Sequence, residues 1–164
     1  MNNKIKNYSE IERIAYRMRF FGEVIVTTNG SFDVLHAAHV KLLERARQDG
    51  SELIVLLNSD GSVRRAKGAE RPIFNQKERA FMLSGLSCVD YVTIFNADTP
   101  LRLLKIIKPH IHVKGGSYIP ERIKEEQELL TTWGGELKLF DLEKGYSSTN
   151  VIERILERYN GREN

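Results

Sequence analysis

Short apolar runs that alternate with segments of helical period constrain this 164-residue chain more than any other feature. The runs are "VIVTT" (24–28), "LIVLLN" (53–58), "YVTIF" (91–95), "IHV" (111–113) and "ELKLF" (136–140). Between and after them lie "HVKLLERARQDG", "NQKERAFMLSGL", "TPLRLLKIIK", "PERIKEEQELLTTWGG" and "STNVIERILERY". Strand-length runs separated by helices imply parallel strands joined by crossovers, because a helix must carry the chain back to the start of the sheet. The pattern therefore predicts an α/β fold: a Rossmann-like, doubly wound, parallel five-stranded sheet with helices on both faces. Helix punctuation agrees: Gly50 closes the first helix, Thr99 and Pro100 open the third, and Gly134 and Gly135 close the fourth.

One domain accommodates this length, since no repeat or low-complexity linker interrupts the alternation. Residues 23–164 are expected to form it, and residues 1–22, with "YSEIERIAYRMRF", an amphipathic helical extension packed outside. No run reaches the roughly 18 apolar residues of a membrane span, and the polar start lacks the apolar core of a secretory signal. The single cysteine, Cys88, has no disulfide partner and no zinc-site spacing, which suits a reducing, cytoplasmic setting and a small core residue. A net charge of +3, with bases scattered among acids, argues against a nucleic-acid footprint but leaves room for a local phosphate pocket.

In an open parallel sheet, ligands bind beyond the carboxyl ends of the strands where the strand order reverses. "TNGSFDVLHAAHV" (28–40) sits at such an end. Gly30 allows a tight turn, and the next helix should begin near Ala37 with unpaired N–H groups facing the crevice, a natural seat for phosphate. His36 and His39, three apart at that start, share one side of the first turn and can meet the same anion; on spacing alone they could equally be surface or capping histidines. Segment 61–71 reads as a mobile loop carrying Arg64, Arg65, Lys67 and Arg71, either closing over a polyphosphate or simply solvated. Asp33 could tie the Gly30 turn or face the substrate, and Arg79 could reach a substrate or make a helix-surface ion pair. Ser147 reads as the cap of the last helix. The alternating His110 and His112 are expected to be structural, not metal ligands, and Trp133 and "RFFG" to be core aromatics.

The pattern Gly-x-Phe-Asp-x-x-His-x-x-His on a strand-to-helix turn resembles the cytidylyltransferase-like nucleotidyltransferases, whose signature includes HxGH. "LNSDGSVRRAKG", "RPIFNQKERAFML", "VDYV", "VKGGSY" and "GYSSTNVIERI" follow in the family's order, so the resemblance spans about residues 24–155. It is strongest to the adenylyltransferases that join AMP to D-glycero-D-manno-heptose 1-phosphate, making ADP-heptose for lipopolysaccharide. That resemblance implies ATP with Mg2+, a sugar-phosphate partner, pyrophosphate release, no covalent intermediate and no metal ligands from the protein's own side chains. It implies catalytic roles for His36, His39 and Lys67, the histidines holding the α- and β-phosphates. Nucleotide contacts fall to Asn29, Gly30, Ser31, Phe32, Lys114, Gly115, Gly116, Ser147, Ser148 and Thr149, and substrate contacts to Asp33 and Arg79. A homodimer or higher homo-oligomer and a separate kinase supplying the sugar phosphate are also implied, with no nucleic-acid or membrane partner. Two departures stand out: Ala38 replaces the glycine of HxGH, and Ser117 stands where the heptose enzymes commonly carry aspartate. A second reading keeps the fold but uses CTP and glycerol 3-phosphate or a related alcohol phosphate; a third is a degenerate nucleotide-binding regulator or scaffold.

Overall fold

The structure is a computed structural model and describes residues 3–116, 119–141 and 147–159. Its elements run α1 (Tyr8–Phe20), β1 (Ile25–Gly30), α2 (Ala37–Gln48), β2 (Glu52–Asn58), α3 (Asp60–Lys67), α4 (Gln76–Ser84), β3 (Tyr91–Phe95), α5 (Leu101–Ile107), β4 (Ile111–Gly115), α6 (Pro120–Thr131), β5 (Glu136–Phe140) and α7 (Ser148–Tyr159). The five strands are parallel in the order β3-β2-β1-β4-β5, so the winding direction reverses between β1 and β4. This is the doubly wound sheet that the alternating runs predict.

Period-two alternation sends successive strand residues to opposite faces, and each face has its own core. Val26, Leu53, Val55 and Leu57 pack with Leu43 and Ala46 of α2 and Ala80 and Leu83 of α4. Ile25, Ile54 and Leu56 pack with Leu103, Leu104 and Ile107 of α5. Into that second layer α1 sends Ile11, Ala15 and Met18, all fully buried. Expected outside the domain, α1 is instead one of the sheet's covering layers, because its apolar stripe at spacing 11, 15 and 18 fits beside α5. The residues before it also join the sheet: Lys6 N–H donates to Val92 O and Val92 N–H to Lys4 O.

The expected loop at 61–71 is largely helix α3. Ser59 accepts from Ser62 N–H at 3.1 Å, Arg64, Arg65 and Lys67 fall in the last turn where cations complement the helix dipole, and Gly68 ends it at φ 97°. Two of its four cations are ion-paired, Arg65 with Asp98 at 2.8 Å and Arg71 with Asp33 at 2.8 Å, which ties the segment to the fold. Pro100, not Thr99, occupies the cap position of α5, without a side-chain bond. Gly50 matters for space: a Cβ there would lie 2.7 Å from Val24 O.

Candidate active site

The chain leaves β1 at Gly30 and turns through Phe32 and Val34, both non-glycine residues at left-handed φ, 43° and 50°. Such angles cost energy and persist only where surroundings impose them. Asp33, between the two, is fully buried and supplies the constraint. Its carboxylate accepts from Ile73 N–H at 2.9 Å, Phe74 N–H at 3.0 Å and Arg71 Nε at 2.8 Å. Burial alone would raise this carboxyl's pKa, but the two amides and the guanidinium outweigh it and hold the group below the usual aspartate range. Asp33 is therefore a clamp on the turn; the substrate contact expected of it does not fit a carboxylate whose oxygens are already taken.

Arg79 is corrected in the same way. It is fully buried, and its guanidinium donates to Phe74 O, Ser31 O, Asn58 O and the Asp60 carboxylate. The fork ties α4 to the ends of β1 and β2. It does not line the cleft described below, and its guanidinium is not at the helix surface.

Beyond this turn α2 starts with no side-chain cap and no acid in its first turn, which leaves a positive helix end open to an anion. His36 and His39 stack there, ring centroids 3.8 Å apart and 19° from parallel, and Phe32 packs edge-on to His39 at 5.3 Å. The Nδ1 atoms of both histidines are buried without a hydrogen-bond partner among the described residues. Burial, with the neighbouring His36 and Lys67 charges, pushes His39 down to about 4, and burial lowers His36 as well. Both rings are thus neutral N–H donors near pH 7, ready for a negative ligand. Ala38 is buried and does not line the cleft, so its methyl occupies core space.

A cleft of about 400 Å³ opens along the carboxyl ends of β1, β2 and β4. It brings together Asn29, Gly30, Ser31, Phe32, His39, Lys67, Lys114, Gly115 and Gly116, as expected from the sequence. Lys67 Nζ donates to Ser31 Oγ at 2.9 Å, and burial lowers its pKa. Lys114 Nζ donates to Asn29 Oδ1 at 2.6 Å. Gly115 leaves room for Leu42 of α2: a Cβ there would lie 2.7 Å from Leu42 Cδ1, so that side chain would have to shift. A larger surface depression at Ser59, Asn75 and Asn96 lies to one side and contains none of the histidines or lysines at issue.

His36 stands behind His39 and does not itself line the cleft. Ser147, Ser148 and Thr149 are also outside its walls, but Ser148 Oγ donates to Asp33 O, which anchors the start of α7 on the histidine turn. Ser147 caps α7, accepting from Asn150 N–H at 3.0 Å. His110 and His112 serve the sheet, His110 Nδ1 accepting from Ile25 N–H at 3.0 Å and His112 Nδ1 lying 2.7 Å from Thr27 Oγ1. Ser117, Gly145 and Tyr146 lie outside the described residues.

Of the far wall the sequence suggested only Arg65, among the cations of 61–71; it missed Asn58 and Ser62 from β2 and α3, Asp98 after β3, and Ile119, Arg122 and Ile123 at the start of α6. The spacing 119, 122 and 123 is one helical face directly after "VKGGSY" and could have been read. Asp98 carried no local signal. Four cations, Arg65, Lys67, Lys114 and Arg122, face one carboxylate, Asp98, among the described lining residues, an imbalance that suits a polyanion.

Comparisons with known proteins agree with this geometry. The cytidylyltransferase-like family model matches residues 27–154. "Bifunctional protein HldE" from Pelobacter propionicus is 49% identical over 158 residues, covering 96% of this chain and 32% of that protein. The protein of the same name from Geotalea uraniireducens is 49% identical over 152 residues, 93% of this chain and 31% of that one. The chain thus spans about a third of the length of these curated relatives. Among solved structures, the lipopolysaccharide core biosynthesis protein of Thermoplasma volcanium is 28% identical with a TM-score of 0.62, covering 77% of this chain and 100% of that one. A pantoate-beta-alanine ligase from Francisella tularensis shares the fold at 13% identity and TM-score 0.63, covering 93% of this chain and 78% of that one. A matching family model over most of the chain, on a doubly wound sheet with the histidine pair at its switch point, places this chain in the cytidylyltransferase-like family.

Proposed function

We propose that the chain is a nucleotidyltransferase that moves AMP from ATP to D-glycero-D-manno-heptose 1-phosphate, releasing pyrophosphate and forming ADP-heptose. The observation that carries the reading is the stacked His36–His39 pair at the uncapped start of α2, beside a cleft whose walls are dominated by cations. In the reaction a phosphate oxygen of the sugar attacks the α-phosphorus of ATP, and the bond from that phosphorus to the bridging oxygen of pyrophosphate breaks. Such transfer needs alignment and charge stabilisation, and no nucleophile from the protein. His39, steadied by His36, and Lys67 take up the charge that grows on the phosphoryl oxygens; Lys114, Gly115 and Gly116 hold the nucleotide. Magnesium enters with the triphosphate. Among the described residues no three His, Cys, Asp or Glu side chains cluster to hold a metal, and Asp98 is the one carboxylate in the described lining.

The heptose assignment is supported by the motifs shared with that branch of the family and by the likeness to a lipopolysaccharide core biosynthesis protein. Pyrophosphate release with a panel of triphosphates and acceptors tests it. ATP with heptose 1-phosphate is expected to be the preferred pair. Preference for CTP with glycerol 3-phosphate would replace it with the alcohol-phosphate reading, and no release with any pair would favour a non-catalytic nucleotide binder.

A further inference from the structure

On the α1–α5–α6 face of the sheet a line of polar residues climbs from the core to the cleft. Thr27 and Asn29 of β1 stand on it, facing His112 and Lys114 of β4, with Thr27 and His112 direct register partners. Glu126 of α6, 1% exposed, closes the line from the helix layer. Its Oε1 lies 2.8 Å from Lys114 Nζ. Its Oε2 has no hydrogen-bond partner among the described residues, and neither has His112 Nε2, 3.7 Å away. Lys114 is therefore the only hydrogen-bond partner of this carboxylate among those residues.

A buried ion pair is a poor source of stability, because desolvating both charges offsets their attraction. What this pair does provide is orientation. Two of the ammonium's three N–H bonds go to Asn29 Oδ1 at 2.6 Å and Glu126 Oε1 at 2.8 Å, and both Lys114 and Asn29 line the cleft. The third N–H is left for a ligand. We infer that Glu126 is a positioning residue for the proposed transfer: it acts through Lys114, holding that ammonium charged and aimed at the triphosphate, while His112 backs the unbonded carboxylate oxygen. The inference rests on the nucleotide reading of the cleft given above.

The charges around Lys114 make the role measurable. Burial lowers the ammonium's pKa, Glu126 raises it back, and Arg122, from the same helix as Glu126, lowers it. Buried His112 is held well below its ordinary value and stays neutral, Asn29 of β1 is uncharged, and across the cleft Arg65 and Lys67 carry positive charge, with the Asp98 carboxylate paired to Arg65. Removing the Glu126 charge therefore lets Lys114 lose its proton at lower pH.

Calorimetric titration of MgATP, without sugar phosphate, from about pH 6.5 to 9.5 reads this directly. Native protein is expected to hold its affinity to higher pH, whereas Glu126→Gln should lose on the order of tenfold earlier in the rise, because an ammonium that binds the triphosphate only when charged gives up its proton sooner. In a Lys114→Met background, adding Glu126→Gln should change nothing further. A Glu126→Gln profile that overlays the native one, or a loss that persists with Lys114→Met, overturns the inference. If Glu126→Gln does not fold, Glu126→Asp takes its place: it keeps the charge but withdraws it by one methylene, and should weaken MgATP several-fold with the same early fall on the basic limb, unchanged behaviour being the contrary result. Native-like MgATP affinity in Lys114→Met alone would remove the nucleotide placement itself, a failure distinct from that of Glu126.

Discussion

Replacing His36 or His39 with alanine is expected to lower turnover by on the order of a hundredfold or more, the usual cost, roughly 3 kcal/mol, of losing one preorganised donor to a developing charge. His39 faces the cleft and should carry the larger share; His36 acts through the stack that fixes its ring. Neither Nδ1 makes a hydrogen bond within the described fold, so stability should change far less than catalysis. Parallel measurement of kcat and of thermal unfolding separates the two effects. Normal turnover in both variants would take the histidines out of the chemistry, and a collapse of the fold with proportionate activity loss would make them packing residues.

Arg79→Met should be the most damaging substitution outside the cleft. It strands three backbone carbonyls, at Phe74, Ser31 and Asn58, and the Asp60 carboxylate. Breaking one side of a buried charge network commonly costs about 3–5 kcal/mol, against a total stability of roughly 5–15 kcal/mol for a domain. Urea unfolding should show a lower midpoint at unchanged slope. Arg79→Lys should recover little, because an ammonium cannot reproduce the planar fork that reaches all four acceptors. A variant of native stability that had lost only sugar-phosphate affinity would return Arg79 to the substrate role its position in "NQKERAFML" suggests.

The sheet was legible in the sequence because apolar period and length report burial directly. β3 and β5 match their runs, and β1 runs on through Asn29 and Gly30 because polar residues at a strand's end still pair in the ladder. The lower half of the site was legible for a related reason: motif residues at the ends of β1 and β4 are brought together by the reversal of strand order alone. Asp33 and Arg79 are charged residues inside a motif, and charge in a motif suggests a ligand. Only three-dimensional contacts show that Ile73, Phe74 and Arg71 have taken the first, and Asp60 and three carbonyls the second. The segment 61–71 misled for its composition, since glycines and clustered cations resemble a loop until Ser59 and Gly68 are recognised as the two caps of α3. Asp98 and Glu126 were invisible because each acquires its place only through a long-range partner, Arg65 for one and Lys114 for the other.

The central claim is that the cleft beside the stacked histidines transfers the α-phosphoryl end of ATP to a sugar phosphate. ATP labelled at the α-phosphorus, incubated with magnesium and heptose 1-phosphate, tests it most directly. The label should appear in a sugar nucleotide in step with unlabelled pyrophosphate, and should do so far more slowly in His39→Ala. Label retained in ADP, with the terminal phosphate moved to the sugar, or label left in ATP while the protein binds it, would contradict the claim.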